Sequence, residues 1–213
     1  MSDKPGFLEM IRAPFLFAII VPLVIGTITS VSITNKFHII GFLLVFIIGI
    51  SLHISTNVYN DIYDTLQGAD NNLSKESDYS GGSGILVDHP DLFPKMFLIA
   101  RSGIIVGVAG GIILLFFIDK RLWPFLITII GISAFLSKFY TAPPFKFAYR
   151  GLGEIFVWLG FGPFAILLAS IGQNLGIHPT ILVLMPITGL STLFIVWMGE
   201  MVDFETDKFA GKY

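Results

Sequence analysis

The chain has 213 residues, of which 54% are hydrophobic and only 13% charged, with a net charge of −2 and no cysteine. A soluble domain is roughly 25% charged, so a water-soluble globular fold is excluded. The absence of cysteine excludes disulfides, thiolate catalysis and Cys-ligated zinc or iron–sulfur centres. No global basic field invites nucleic acid. The composition predicts a single membrane-embedded domain over residues 1–213.

A membrane span needs roughly 20 mostly apolar residues. Six runs meet that requirement: Pro14–Ile33, His38–Asn60, Pro94–Ile118, Leu122–Phe139, Gly153–Ile171 and Thr180–Val202. They predict an all-α, multi-span transmembrane helix bundle. The first run follows Met1–Arg12 and is too long for a cleaved signal peptide, so it is read as a retained helix. Spans two, three and six are long enough to extend past the hydrocarbon. Pro22, Gly26, Gly110, Gly111, Pro163 and Pro186 fall inside spans, where such residues are tolerated. No internal repeat is visible.

Six spans put the loops on alternating sides. One side carries Lys4, Arg12, Lys75, Lys95, Arg101, Lys138, Lys146, Arg150, Lys208 and Lys212, which is 10 of the 13 cations. The positive-inside rule makes that side cytoplasmic. Of the 15 acids, only Asp119 lies on the outer side. Acids count little in the inside rule, so their concentration on the inner face points to a site there.

Two acid clusters close spans on that face. The first is Asn57-Val-Tyr-Asn60-Asp61-Ile-Tyr-Asp64, with Gly68-Ala-Asp70-Asn71 beyond. On a continuing helix Asn57, Asp61 and Asp64 share one face. The second is Glu200-Met-Val-Asp203-Phe-Glu205-Thr-Asp207, closing span six. Carboxylates at such a spacing repel one another and are expensive near hydrocarbon, so the arrangement calls for a cation. Hard oxygen donors with no cysteine or histidine beside them favour Mg²⁺. Two facing clusters suit a diphosphate held through Mg²⁺.

The inner loop between spans four and five runs from Lys138 to Glu154. Pro143-Pro144 bars a helix there. Lys138, Lys146 and Arg150 are candidates to meet phosphate oxygens, with Tyr140 as a hydrogen-bond donor. The run Ser80-Gly81-Gly82-Ser83-Gly84 can present backbone N–H groups to an anion, but it lacks the spacing of a P-loop lysine motif. His38, His53, His89 and His178 form no pair with metal spacing and are read as structural or interfacial. Trp123, Trp158 and Trp197 are read as packing or interface anchors, and Arg101 is expected to snorkel to the inner face.

Taken in order along the chain, these residues resemble the UbiA-type intramembrane aromatic prenyltransferases. Arg12-Ala-Pro-Phe leading into Pro22-Leu-Val-Ile-Gly26-Thr is similar to that family's first helix. Asn57 to Asp64 resembles its first aspartate-rich motif, and Asp203-Phe-Glu-Thr-Asp207 resembles its second. Within the family, three features resemble the menaquinone branch, which prenylates 1,4-dihydroxy-2-naphthoate: Gly68-Ala-Asp70-Asn71, Ser80-Gly-Gly-Ser-Gly84, and Tyr140-Thr-Ala-Pro-Pro-Phe-Lys146 with Tyr149-Arg-Gly-Leu-Gly-Glu154. The 4-hydroxybenzoate branch usually has a lysine four residues after the loop tyrosine, where this chain has Pro144. In the second motif Gly199 stands where asparagine is frequent, and Glu200 matches a common variant. The family fold has nine helices and this chain ends just after the second motif, so the expectation is a domain incomplete at its C-terminus.

The resemblance implies a polyprenyl diphosphate donor and an aromatic acceptor, with Mg²⁺ held by Asp61, Asp64, Asp203 and Asp207. Lys138, Tyr140, Lys146 and Arg150 would stabilise the departing diphosphate. Arg12, Asn57, Asn60, Asp70, Ser80, Gly81 and Glu200 would bind substrate. It also implies a lipid bilayer as the environment, the cytoplasmic membrane as the location and no nucleic-acid partner. The alternatives are another acceptor, either 4-hydroxybenzoate or a lipid, and a transporter with an acidic vestibule. Transporters typically place ionisable groups near mid-membrane, not at inner helix ends. A CDP-alcohol phosphotransferase would need a compact motif with an Asp-Gly start and an Ala-Arg pair, which is absent.

Overall fold

A computed structural model describes residues 4–70, 83–209 and 211, with side chains throughout except at 202, 203, 205, 206, 207 and 209. Among the described residues the secondary structure is helical, with no strand. A short helix, α1 (Phe7–Met10), leads through a 3₁₀ turn at Ala13–Leu16 into α2 (Phe17–Thr34). Then follow α3 (Ile39–Gln67), α4 (Ile85–Asp88), α5 (Phe93–Leu115) and α6 (Trp123–Phe139). The fifth span is divided into α7 (Gly153–Leu159) and α8 (Ala165–Gly172), and α9 (Pro179–Phe209) is the last helix described.

Six stretches among the described residues are long and apolar enough to cross a membrane, and the architecture is an all-α multi-span membrane bundle. Large apolar side chains face outward along it, such as Ile105 at 67% and Phe116 at 80% exposure. In water that surface would drive aggregation; against lipid tails it carries no penalty.

Two of the expected spans run on further than their apolar residues. Helix α3 continues past Asn60 to Gln67, and α9 past Val202 to Phe209. In α3 the polar extension satisfies itself: Asn60 Nδ2 donates to Asp64 Oδ2 at 2.9 Å and Thr65 Oγ1 to the Asp61 carbonyl at 2.8 Å. The helix stops at Gly68, whose φ of 81° reaches the left-handed region. The amides of Ala69 and Asp70 then turn back onto the Asp64 carbonyl.

Helix α3 is the central element. It packs most extensively on α5 and also touches α2, α6 and α8. One apolar core gathers Leu23, Val45, Ile48, Leu114, Leu126 and Ile171 at mid-bundle. A second, nearer the inner face, gathers Met10, Ile11, Val58, Ile62, Leu86 and Met96 and so fixes α1 and α4 onto α3 and α5. At the outer end Gln173 clamps the start of α3, accepting from the His38 amide at 2.9 Å and donating to its carbonyl at 3.2 Å.

Apolar attraction does not drive helices together in lipid, so close backbone approach and polar contacts must do so. The α3–α5 seam has both. Ser55 Oγ donates to the Ala100 carbonyl at 2.8 Å. A Cβ added at Gly103 would meet the Ser51 carbonyl oxygen at 2.6 Å and Ser55 Cβ at 3.1 Å. Gly103→Leu is therefore expected to push α5 off α3 and to destabilise by about 1–3 kcal/mol. A thermal melt in detergent, read by tryptophan fluorescence, checks this against wild type.

Candidate functional site

The inner end of α3 carries Asn57, Asn60, Asp61 and Asp64, and the fold treats the two acids differently. Both are buried, Asp61 at 1% and Asp64 at 2% exposure. Asp64 is held by neutral donors: the Tyr149 hydroxyl donates to Oδ1 at 2.7 Å and Asn60 Nδ2 to Oδ2. Asp61 is held by a cation, with Arg12 Nη1 3.3 Å from Oδ1. Its other oxygen, Oδ2, is buried with no hydrogen-bond partner, although Ser83 lies beside the carboxylate.

Arg12 reaches Asp61 because the chain reverses there. Its φ of 54° is left-handed and it caps the 3₁₀ turn before α2. The guanidinium also lies 4.4 Å above the Phe15 ring, so an amphipathic cation is shielded on one side and paired on the other. Asn57 Nδ2 donates to the Ile11 carbonyl at 3.4 Å and fastens this turn to α3.

The loop after α6 folds back onto the same place. A cis Pro143-Pro144 bond and a left-handed Lys146 reverse the chain, and a 3₁₀ turn at Phe147–Arg150 follows. The Ala148 amide bonds the Tyr140 carbonyl at 2.9 Å. The Tyr149 hydroxyl is thereby aimed at Asp64, while Arg150 Nη2 donates to the Pro144 carbonyl at 3.0 Å. A polar cavity of about 410 Å³ lies here, lined by Gln67, Lys146, Tyr149, Arg150 and Gly211. The ends of α3 and α9 and the proline loop therefore share one polar space.

A second, apolar cavity of about 120 Å³ lies deeper, walled by α2, α3, α6, α7 and α8. Its α3 wall extends from Ile48 to Thr56, and Tyr140 and Ser137 stand at its α6 side.

The expected site residues are distributed over these features. Arg12 with Asp61 and Asn60 with Asp64 form two bonded pairs, and Asn57 is tied to the Arg12 turn through the Ile11 carbonyl. Asp70 is buried in the turn that ends α3. Lys146 and Arg150 line the polar cavity, whereas Tyr140 lines the apolar one. Lys138 lines neither; its Nζ lies 5.1 Å over the Phe139 ring. Glu200 is half-buried on α9. Asp203 and Asp207 fall on α9, their side chains outside the description, and Ser80 and Gly81 lie outside the described residues. Among the described residues no group of three or more metal-type side chains comes together. Arg101 is exposed, with its guanidinium 5.7 Å from the Phe97 ring centre.

Two site residues were not anticipated. Tyr149 binds Asp64 directly, and Gln67 donates to the Tyr63 and Thr141 carbonyls, joining α3 to the loop. Tyr149 lies between Lys146 and Arg150, and a tyrosine between two cations of a loop is the signal the sequence offers.

No family model matches the chain, and no solved structure matches it. Curated sequences do. The chain is 28% identical over 213 residues to a 2-carboxy-1,4-naphthoquinone phytyltransferase of Synechocystis sp., covering 99% of this chain and 65% of that protein. It is 26% identical over 206 residues to a 1,4-dihydroxy-2-naphthoate octaprenyltransferase of Bacillus subtilis, covering 96% and 62%. It is 28% identical over 198 residues to a UbiA prenyltransferase domain-containing protein of Xenopus tropicalis, covering 91% and 54%. The proteins it is similar to are thus naphthoate or naphthoquinone prenyl- and phytyltransferases and a UbiA prenyltransferase domain protein. It spans between about half and two thirds of the length of the relatives it matches.

The Arg12–Asp61 pair is testable as a buried ion pair. Removing one partner leaves an uncompensated charge, typically at a cost of about 3–5 kcal/mol. Arg12→Ala is expected to lower stability by that order, and Asp61→Asn in the same chain to restore much of it. Thermal melts of wild type, both single variants and the double variant give the coupling directly.

Proposed function

We propose that the protein transfers a polyprenyl group from a polyprenyl diphosphate to 1,4-dihydroxy-2-naphthoate in quinone biosynthesis, at the cytoplasmic face of the cell membrane. The observation that carries this reading is the joining of three features at the inner end of α3. They are a buried acid pair, a polar cavity with two cations on its wall, and an apolar cavity directly beneath. The naphthoate prenyl- and phytyltransferases among the relatives support the acceptor class.

A diphosphate suits the polar cavity. Lys146 and Arg150 offer positive charge to the oxygens that gain it as the leaving group departs. Asp61 Oδ2, a buried carboxylate oxygen with no hydrogen-bond partner, fits a hard divalent cation. Asp61 and Asp64, with Asp203 and Asp207 from α9, would hold Mg²⁺. When bound, that ion neutralises the diphosphate and helps it leave. Arg12 pairs with Asp61 and aims it, and Tyr149 and Asn60 hold Asp64 through hydrogen bonds. The apolar cavity receives the allylic end and keeps water from quenching it. The naphthoate ring forms the new carbon–carbon bond as the carbon–oxygen bond to diphosphate breaks, and its carboxylate leaves as carbon dioxide.

The test uses membranes carrying the protein from its complete reading frame. They are supplied with Mg²⁺, a polyprenyl diphosphate, and either 1,4-dihydroxy-2-naphthoate or 4-hydroxybenzoate. Prenylated naphthoquinol that disappears with EDTA is expected. Product from hydroxybenzoate alone would move the protein to another acceptor, and product from neither would defeat the reading. Asp61→Ala and Asp203→Ala should each lower turnover by at least about 10²-fold; near-normal rates in either would remove that residue from the scheme.

A further inference from the structure

We propose that His53 recognises a hydroxyl of the aromatic acceptor, which lies in the apolar cavity against the His53–Phe161 pair, at a level of the bundle deeper than the acid pair. This assignment rests on the prenyl-transfer reading above and names the acceptor contact within it.

The observation is an imidazole that the fold leaves incomplete. His53 is 7% exposed and lines the apolar cavity. Asn57, one turn along the same face, reaches the ring, yet Nδ1 is buried with no hydrogen-bond partner. A histidine that serves only packing normally has its buried nitrogens paired, because an orphaned polar atom in a dry site destabilises the fold. Neighbouring hydroxyls of the cavity wall are occupied. Thr56 Oγ1 donates to the Leu52 carbonyl at 2.9 Å, and Ser137 Oγ to the Ser133 carbonyl at 2.8 Å. Nδ1 is thus available to a ligand in a cavity whose wall is mostly apolar.

The wall next to His53 is built for an aromatic ring. Phe161 meets the imidazole edge-on, with centroids 4.8 Å apart and planes at 71°. Phe161 points there because Gly160–Phe164 forms a π turn between α7 and α8. Such turns insert an extra residue and re-aim side chains, often at functional sites. The turn is pinned from behind, since a Cβ on Gly162 would meet Gly189 of α9 at 2.9 Å.

The depth also fits. His53, Asn57, Asp61 and Asp64 form one stripe along α3. At 1.5 Å per residue, His53 lies about 12 Å from Asp61 along the axis. The allylic carbon is bonded to the diphosphate held near the acids, and the attacking ring carbon must come within roughly 3–3.5 Å of it. The hydroxyls of 1,4-dihydroxy-2-naphthoate flank the attacking carbon on the same ring, so a ring reaching inward from that point carries one of them toward the level of His53. An imidazole nitrogen can donate to or accept from a phenolic hydroxyl. An acceptor lacking the hydroxyl would leave Nδ1 orphaned, which is how such a site discriminates.

The experiment uses the full-length protein in membranes, with His53→Leu and His53→Gln, and two acceptors: 1,4-dihydroxy-2-naphthoate and its O-methyl ethers. His53→Leu should raise the acceptor KM about tenfold and leave the polyprenyl diphosphate KM unchanged. It should also lose the wild-type preference for the free hydroxyl over the ether, and His53→Gln should regain part of both. An unchanged acceptor KM and an intact preference in His53→Leu, with wild type active, would overturn the role of His53 alone. An equal rise in both substrates' KM would mark a packing role and overturn it too. Wild type inactive on every aromatic acceptor would instead defeat the prenyl-transfer reading and this assignment with it.

Discussion

Two carboxylates that must sit out of water at the end of a membrane helix constrain everything around them. Asp61 and Asp64 lie less than one turn apart and are both buried. Side by side and unmodified, like charges in a low dielectric could not both persist. The fold answers with a separate partner set for each: a guanidinium from before α2 for one, a phenol and an amide for the other. Meeting those demands dictates the left-handed Arg12, the reversal of the proline loop, and the extension of α3 to Gln67. The polar site is a consequence of this solution, because the elements that satisfy the acids also enclose the cavity beside them.

Most of the architecture was legible from hydropathy alone, since a run of apolar residues long enough to cross a bilayer has few other fates. What hydropathy could not show is where helices end. The ends of α3 and α9 are polar, so an apolar count stops at Asn60 and Val202, while the hydrogen bonds continue the helix. The spacing of Asn57, Asp61 and Asp64 put them on one face, and Asn60 at i, i+4 from Asp64 became a contact. Long-range partners were harder to read. Arg12, a candidate for substrate binding, reaches Asp61 across 49 residues of sequence. Tyr149 reaches Asp64 across 85. Neither separation leaves a periodic signal. Nor could spacing separate Tyr140 and Lys138 from Lys146, because a turn after Pro143-Pro144 decides which side chains face which cavity.

The bundle also shows how a membrane protein builds specificity with little polar material. Its seams use serine hydroxyls bonded to carbonyls and glycines that admit neighbouring backbone, as at Ser55 and Gly103. Local hydrogen bonds therefore hold the helices while the lipid-facing surface stays free of polar demands. Against that background, buried polar atoms with no hydrogen-bond partner are informative; among the described residues Thr27 Oγ1 and Gln67 Oε1 are examples. Asp61 Oδ2 and His53 Nδ1 are two more, the second on the wall of the apolar cavity.

The hydroxyl of Tyr149 has a mechanical consequence. It is a short tether between the acid helix and a loop whose two basic residues are otherwise held by a ring face and a carbonyl. Asp64 therefore acts as an anchor point as well as a charge. The phenol thus ties the acid helix to the basic loop across 85 residues of sequence, and the loop's position depends on the same carboxylate that the sequence places in the acid cluster.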